Sequence, residues 1–559
     1  MSSQERTDSV RAPIAVAERP AGPEISGRRT VWDRPALFAS GALTLPELLE
    51  LVPGVSVVRS GFIAAVTATS WYGEPGRVRV FLDGVELDPL DPRVGGSPDL
   101  GTIPIFALEE VAVERSAGEL RVFLRSWRVH LTTAQTRTDI LTGTGNTNLY
   151  RGFFGKRLNR GAVLQVAAQQ YSTTNQRTRG DGDGLAAFVR VGHASGRLSV
   201  DATAHRYGRT RNPTRRYVLG PSPEEGAIGG FVGRDLAALV RAAWGNADSN
   251  GVWWQVIAAT VQHVEDDSLR SAAATPDPDT VVTQGQYVGA IGVTRGALRL
   301  SATGRMRTQA GEGRFSPAVR AAWDARRMSV SAHAEGAGPD STVRVDVLAS
   351  IEPFDWLHVG AALSQHRPED AASGGPDRTT VRGEVGLQVL GRWLTGGVIG
   401  RSAAQVPGVP AFDTLYTSMA TGSALGREVG ISGPIVGPFS VHARVVDWGE
   451  AGVYRPRWQS RTELRVVTKL KRYLPKADFE LIGALIHEYR SDFQAPNGNG
   501  GIVWANEAYA FSSLLDIKIS DAHIFWYTRN YTGKVYETVP GYLMPRLVQL
   551  YGVRWEFWN

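Results

Sequence analysis

The chain has 559 residues, no cysteine and a formal net charge of +6. The missing cysteines exclude disulfides, thiolate metal sites and cysteine catalysis together, and a modest, scattered positive charge gives nucleic acid no footprint. No apolar run approaches the ~20 residues of a spanning helix, whereas 63 glycines, 15 tryptophans and 16 tyrosines suit a barrel, in which alternating lipid-facing and lumen-facing residues hide membrane character.

The start, Met1-Ser2-Ser3-Gln4-Glu5-Arg6, lacks a basic stretch followed by an apolar core and does not read as a secretory signal peptide. The expectation is that a signal has been removed or that the start is mis-assigned. Residues 1–43 carry Pro13, Pro20, Pro23 and Pro35 with little periodicity and read as an extended arm. Thr44-Leu45-Pro46-Glu47 then has the form of a capping box with proline near the first helical position, so a short helix runs into Pro53-Gly54-Val55. In Arg77 to Leu87, Val78, Val80 and Leu82 alternate with polar or aromatic neighbours. Asp83-Gly84 supplies a two-residue turn, and Val85 and Leu87 resume the pattern, which predicts a tight β-hairpin. Asp88, Asp91 and Asp99 follow in a Pro- and Gly-rich stretch without the spacing of an EF-hand, and this reads as a loop, as does Asp181-Gly182-Asp183-Gly184. Leu108 to Arg115 reads as a turn of helix leading into a strand.

The order LPELLELVPGVSV, VFLDGVEL, IPIFALEEVAVER resembles the plug domain of TonB-dependent outer-membrane receptors over residues 45 to 130, with Pro53, Gly54, Val55, Asp83, Gly84 and Val85 carrying the motif. The family's Arg-Gly pair before the hairpin and its Arg-Gly-Pro after the last strand are missing, and the corresponding stretches read SGFIAAVTATSWYG and RSAGELRVFLRSW. The resemblance implies a bacterial outer-membrane location and a TonB-type energy-coupling protein as partner. It also implies that Ser9, Val10, Arg11, Ala12, Pro13, Ile14, Ala15 and Val16 are the segment that engages this partner, by adding to its sheet edge. A plain leader is the competing reading of that segment.

From Thr136 onward, period two dominates. Leu198, Val200, Ala202 and Ala204 alternate with Ser199, Asp201, Thr203 and His205; Met328, Val330, Ala332 and Ala334 alternate with Ser329, Ser331, His333 and Glu335. Stretches 252 to 264 and 479 to 490 are apolar on both faces. Short connections such as Ser195-Gly196 and Ser520-Asp521 alternate with longer ones around 209 to 229, 405 to 421, 491 to 501 and 531 to 546. This predicts an up-and-down barrel of roughly 22 antiparallel strands, the size of plugged outer-membrane transporters. The fold expected is therefore an all-β membrane protein holding a small α/β plug, divided as arm 1–43, plug 44–130 and barrel 131–559. On the presumed lumen face stand Arg299, Arg305, Arg307, Arg344, Arg444, Arg457, Arg461 and Arg465, candidate ligand contacts unless they pair with acidic residues such as Asp346 and Glu463. Tyr551, Val553, Trp555 and Phe557 end the chain in an alternating aromatic strand, which resembles the signal read by the barrel-assembly machinery.

No Gly-x-Ser-x-Gly elbow, Walker loop, His-Glu-x-x-His helix or dinucleotide fingerprint is present, and His487-Glu488 stands alone. The chain reads as no enzyme and carries no cofactor or metal motif. The expected function is outer-membrane uptake of a scarce small molecule or chelate, with lipid around the barrel and no nucleic acid partner. A passive porin-like channel constricted by its amino-terminal domain, or a structural or adhesion barrel, is the alternative.

Overall fold

The computed structural model describes residues 30–91, 96–129, 132–158, 161–174, 181–217, 224–266, 280–336, 342–368, 377–413, 415, 418–469, 478–497 and 500–558. Among them, 22 antiparallel strands from Gln135–Gly143 to Val548–Trp558 close into one barrel. The carboxyl-terminal strand closes it, with Leu550 opposite Gly143 and Trp555 opposite Thr138. Closure pairs every barrel strand on both sides and leaves no open sheet edge. The alternation read from sequence becomes two faces: Ile291, Val319 and Val345 stand out on the outer wall, while Gln286, Arg344 and Asp346 are buried toward the lumen. Tyr551, Val553 and Trp555 also face outward, each about half exposed.

The lumen holds the plug. Its strands are β1 (Val31–Asp33), β2 (Val55–Arg59), β3 (Thr67–Trp71), β4 (Val78–Leu82), β5 (Val85–Glu86), β6 (Leu108–Arg115) and β7 (Leu120–Ser126), with helices α1 (Arg34–Ala39) and α2 (Leu45–Leu49). Five strands form one sheet in the order β1-β6-β7-β4-β5, with β4 and β7 parallel. Val78, Val80 and Leu82 of β4 pack with Leu45, Leu48, Leu49 and Val52 in the plug core. The alternate residues Arg79 and Phe81 turn to the barrel wall, where Arg79 meets Glu335 and Phe81 lies 5.3 Å from the Arg305 guanidinium.

Three local expectations are corrected. Residues 31–39, expected within the extended arm, are folded into the plug: β1 pairs with β6, and Asp33 caps α1 by accepting from Ala36 N (3.0 Å). The signal was Asp33-Arg34-Pro35, an N-cap followed by an early proline. Thr44 makes no side-chain cap; Glu47 instead accepts from Leu43 N (2.9 Å), one residue before the position a capping box requires. Leu108 to Arg115 is strand throughout, with the turn of helix lying just before it at Ile105–Ala107.

The barrel's two ends differ. At one, most connections are tight turns. The other carries four extra hairpins in stretches read as plain loops: Thr214–Arg216 with Glu224–Ile228, Ala404–Pro407 with Ser418–Thr421, Phe493–Pro496 with Ile502–Ala505, and Glu537–Val539 with Tyr542–Leu543. Alternation of short and long connections fails at Ala310-Gly311, a two-residue turn at the long-loop end. Val406, Val409, Phe493, Ala505 and Tyr542 of these loops, with Tyr454 of the loop after Phe439–Asp447, form a buried apolar cluster with Val58, Val66 and Ala68 of the plug. The loops thus roof the plug.

Candidate functional site

The plug hairpin is seated by its turn. Asp83 and Gly84 have φ of 50° and 94°, as a two-residue hairpin turn requires, and Leu82 pairs with Val85. The buried Asp83 carboxylate accepts from Ser126 N (3.2 Å) and from the Ser126 hydroxyl and lies 3.5 Å from Arg128. Val85 packs against Leu239, Ile257, Val261 and Val288 of the wall. This contact explains why 252 to 264 is apolar on both faces: one face lies on the outer wall and the other meets the plug. At Pro53-Gly54-Val55, Gly54 has φ of 89°, and a Cβ there would stand 2.5 Å from the Tyr72 ring, so the motif glycine answers to both backbone and packing. Val55 is buried beside it.

The charged faces of β4 to β7 meet a wall of opposite charges. Arg79 donates to Glu86 (2.6 and 3.0 Å) and to Glu335 on the wall (2.6 and 2.9 Å). Arg121 donates to Glu119 (2.6 Å) and Glu114 (2.7 Å) and reaches Asp346 on the wall. Asp346 also accepts from the Ser364 hydroxyl (2.5 Å). Burial pushes the Glu119 carboxyl up, but Arg121, Arg79 and Arg344 outweigh it and hold the group at about 2. The same balance keeps Asp83 and Glu86 below the usual carboxylate range, against burial, through Arg128 and through Arg79 respectively.

The eight sequence-predicted arginines are mostly parts of this seam. Arg305 and Arg307 pair with Glu86, Arg307 also with Asp88 (2.9 Å), and Arg344 pairs with Glu119 (3.1 Å). Arg444 donates to Leu51 O (2.6 Å) and Glu50 O, and Arg465 to Ala39 O (2.8 Å). Arg461 pairs with Glu488 (2.5 Å) and Arg299 with Asp324, both within the wall. Arg457 departs from the lumen position expected of it: it precedes the strand Trp458–Thr468, lies in a loop and is half exposed. Sequence reasoning missed the plug side of the seam, Arg79, Glu86, Glu114, Glu119 and Arg121. Their alternation with Val80, Val113, Leu120 and Val122 was visible, but nothing in one strand says that its polar face will meet protein instead of water.

The seam is uneven. Along the strands Leu298–Gln309 to Leu357–Pro368, buried side-chain charges of the plug are matched by wall charges. Across the lumen, a cavity of about 900 Å³ separates plug residues 30–53 from the strands Ala424–Val436 to Phe479–Arg490. Arg444, Arg461, Arg465 and Glu463 line it; there Arg444 and Arg465 reach plug carbonyls, while Arg461 and Arg465 pair with Glu463 within the wall. The expected coupling segment, Ser9 to Val16, lies outside the described residues.

Residues 23–122 match the family model of the TonB-dependent receptor plug domain. No curated protein sequence matches the chain. Among solved structures, it resembles the FrpB iron transporter from Neisseria meningitidis (TM-score 0.69, 9% identity, covering 95% of this chain and 100% of that one). It also resembles the siderophore receptor PirA from Acinetobacter baumannii (TM-score 0.67, 9% identity, 94% and 98% covered) and the copper transporter OprC (TM-score 0.72, 12% identity, 96% and 100% covered). At such identity these likenesses speak for the fold. With a plug of the TonB-dependent receptor family seated in a closed 22-stranded barrel, the chain has the architecture of the TonB-dependent outer-membrane receptors.

Proposed function

We infer that the protein takes up a scarce ligand across the bacterial outer membrane by plug-gated transport. The observation that carries this reading is the filled lumen. A 22-stranded barrel is too wide for its own side chains to close, and here the plug, its ion pairs and the roofing loops occupy the space. Such a seal favours a gated transporter over a passive porin. The cavity of about 900 Å³ beside residues 30–53 supports a route along that wall, because carbonyl partners of Arg444 and Arg465 exchange for water at less cost than buried ion pairs. The segment Ser9 to Val16 is the proposed attachment for a TonB-type partner, upstream of β1 and α1, which line the same cavity. Coupling requires that the loaded plug present this segment differently from the empty one. Iron, siderophore and copper are the cargoes named for the similar structures, and a metal chelate is the first class to try. Tyr551, Val553, Trp555 and Phe557 are the proposed signal to the assembly machinery.

Single-channel conductance in a planar bilayer tests the seal. The intact protein conducts poorly and a variant lacking residues 44–130 conducts strongly; large, steady conductance from the intact protein would favour the porin. In cells, uptake that continues after the proton motive force is collapsed would exclude energised transport.

A further inference from the structure

On the outer wall, two arginines stand side by side. Arg206 and Arg234 occupy outward positions on the neighbouring strands Leu198–Arg211 and Phe231–Trp244, and both are exposed. Register puts Arg206 opposite Leu236 and Arg234 opposite Gly208. The two are therefore diagonal neighbours, with Cβ atoms about 7 Å apart, and both guanidinium groups can reach one ligand between them. Among the described residues, neither arginine has a hydrogen bond or an ion pair. The outward carboxylate of the adjoining strand, Asp183, stands opposite Thr210, four residues beyond Arg206. Arg367, another exposed cation of the barrel wall, is by contrast tied to Asp377 (3.0 Å).

The strands themselves set the depth of this pair. A barrel strand crosses the hydrocarbon in roughly 9 to 11 residues. Counted from the short-turn end, Arg206 is the ninth residue of its strand and Arg234 the eleventh of its own. The outward residues before them are apolar: Val200, Ala202 and Ala204 on one strand, Val240, Ala238 and Leu236 on the other. On the next two strands the outward faces turn polar in the same row, at Gln262 opposite Leu236 and at Thr283 opposite Gln262, and Gln262 donates to Thr283 (3.0 Å). The arginines thus mark the far edge of the apolar band, toward the long loops, which lie outside in such barrels. From there a guanidinium extends into the headgroup layer while its stem stays on apolar surface.

We propose that Arg206 and Arg234 bind the headgroup of a membrane lipid that carries a phosphate monoester, with its acyl chains lying along the wall below. The guanidinium fork matches paired phosphate oxygens. Two unpaired cations suit a monoester, which carries close to two negative charges at neutral pH, better than the single charge of a phosphodiester. Directly beneath, Ala204 and Ala238 stand opposite each other and leave low relief for a chain. The site takes the membrane location from the uptake reading and nothing from the transport step.

The test titrates the intact protein, in neutral detergent at low ionic strength, with phosphatidic acid, phosphatidylglycerol or phosphatidylcholine of matched chains, and native mass spectrometry counts the lipids retained. Phosphatidic acid binds most tightly and phosphatidylcholine least. Arg206→Gln/Arg234→Gln weakens phosphatidic acid about thirtyfold, from about fivefold per arginine beside an anionic headgroup. Arg367→Gln, whose charge is already answered by Asp377, leaves it unchanged. Equal retention of the three lipids, or undiminished phosphatidic acid in the double variant, overturns the site. So does displacement of the lipid by glycerol 3-phosphate at equal concentration, which would mean a site for soluble phosphate, or a dimer that the double variant abolishes, which would give the pair to a second copy. Recovery of the protein outside outer-membrane fractions would instead refute the location.

Discussion

The ion pair between Arg79 of the plug and Glu335 of the wall offers a direct measure of what holds the plug in place. Arg79 is 6% exposed and Glu335 4%, and two hydrogen bonds of 2.6 and 2.9 Å join them. In Arg79→Met, Glu86 keeps Arg305 and Arg307, whereas Glu335 loses the one side chain bonded to both its oxygens. Stranding a buried charge in this way costs about 3 to 5 kcal/mol. In the double variant Arg79→Met/Glu335→Met both charges are gone and a methionine pair fills the space, so most of that cost returns. The expected coupling is at least about 1.5 kcal/mol. Hydrogen exchange of plug peptides covering 78–86 and 108–126, with barrel strands as internal reference, reads the opening free energy of the plug alone. Unchanged protection of 78–86 in Arg79→Met, or a double variant as exposed as the single, would refute the assignment of this pair as a plug anchor.

Two further predictions concern pH and the outer wall. Glu119 at about 2, with Asp83 and Glu86 also below the usual range, gives folded carboxyls depressed relative to the unfolded chain, so their stabilisation is complete above the unfolded value of about 4.3 and is lost as pH falls toward about 2. Proteolytic resistance of the plug therefore holds from pH 7 to 5 and declines below that; a steep loss between pH 7 and 5 would contradict the ion-pair account. On the lipid face, Ala332→Arg at mid-strand costs roughly 2 to 4 kcal/mol, and Met328→Arg at the short-turn rim about 0 to 1. Equal folding yields of the two variants in lipid vesicles would mean that the register or the depth is wrong.

The comparison of His333 with Ala332 shows where sequence and structure divide. Alternation alone places Ala332 outward and His333 inward, and in the structure Ala332 is exposed on the outer wall while His333 is half-buried. Only the tertiary fold reveals that His333 faces no open lumen but lies 3.9 Å from Asp346, a carboxylate already claimed by Arg121 of the plug.

Period two, connection lengths, the Asp83-Gly84 turn and the terminal aromatic strand are local properties, fixed by the pleat and by backbone sterics, so the barrel, its approximate strand number and the hairpin could be read from the chain. Partners hundreds of residues apart could not. Arg444 was legible as an inward cation, yet its choice of Glu50 and Leu51 carbonyls depends on how the plug is rotated in the barrel. The loop hairpins were illegible because Val406, Phe493 and Tyr542 sit in runs too short to show a period, and they become a roof only when β2 and β3 supply the surface to bury them against. The pairing of Arg206 with Arg234 on the outer wall likewise depends on the register of two strands joined by a long loop, which alternation within either strand does not set.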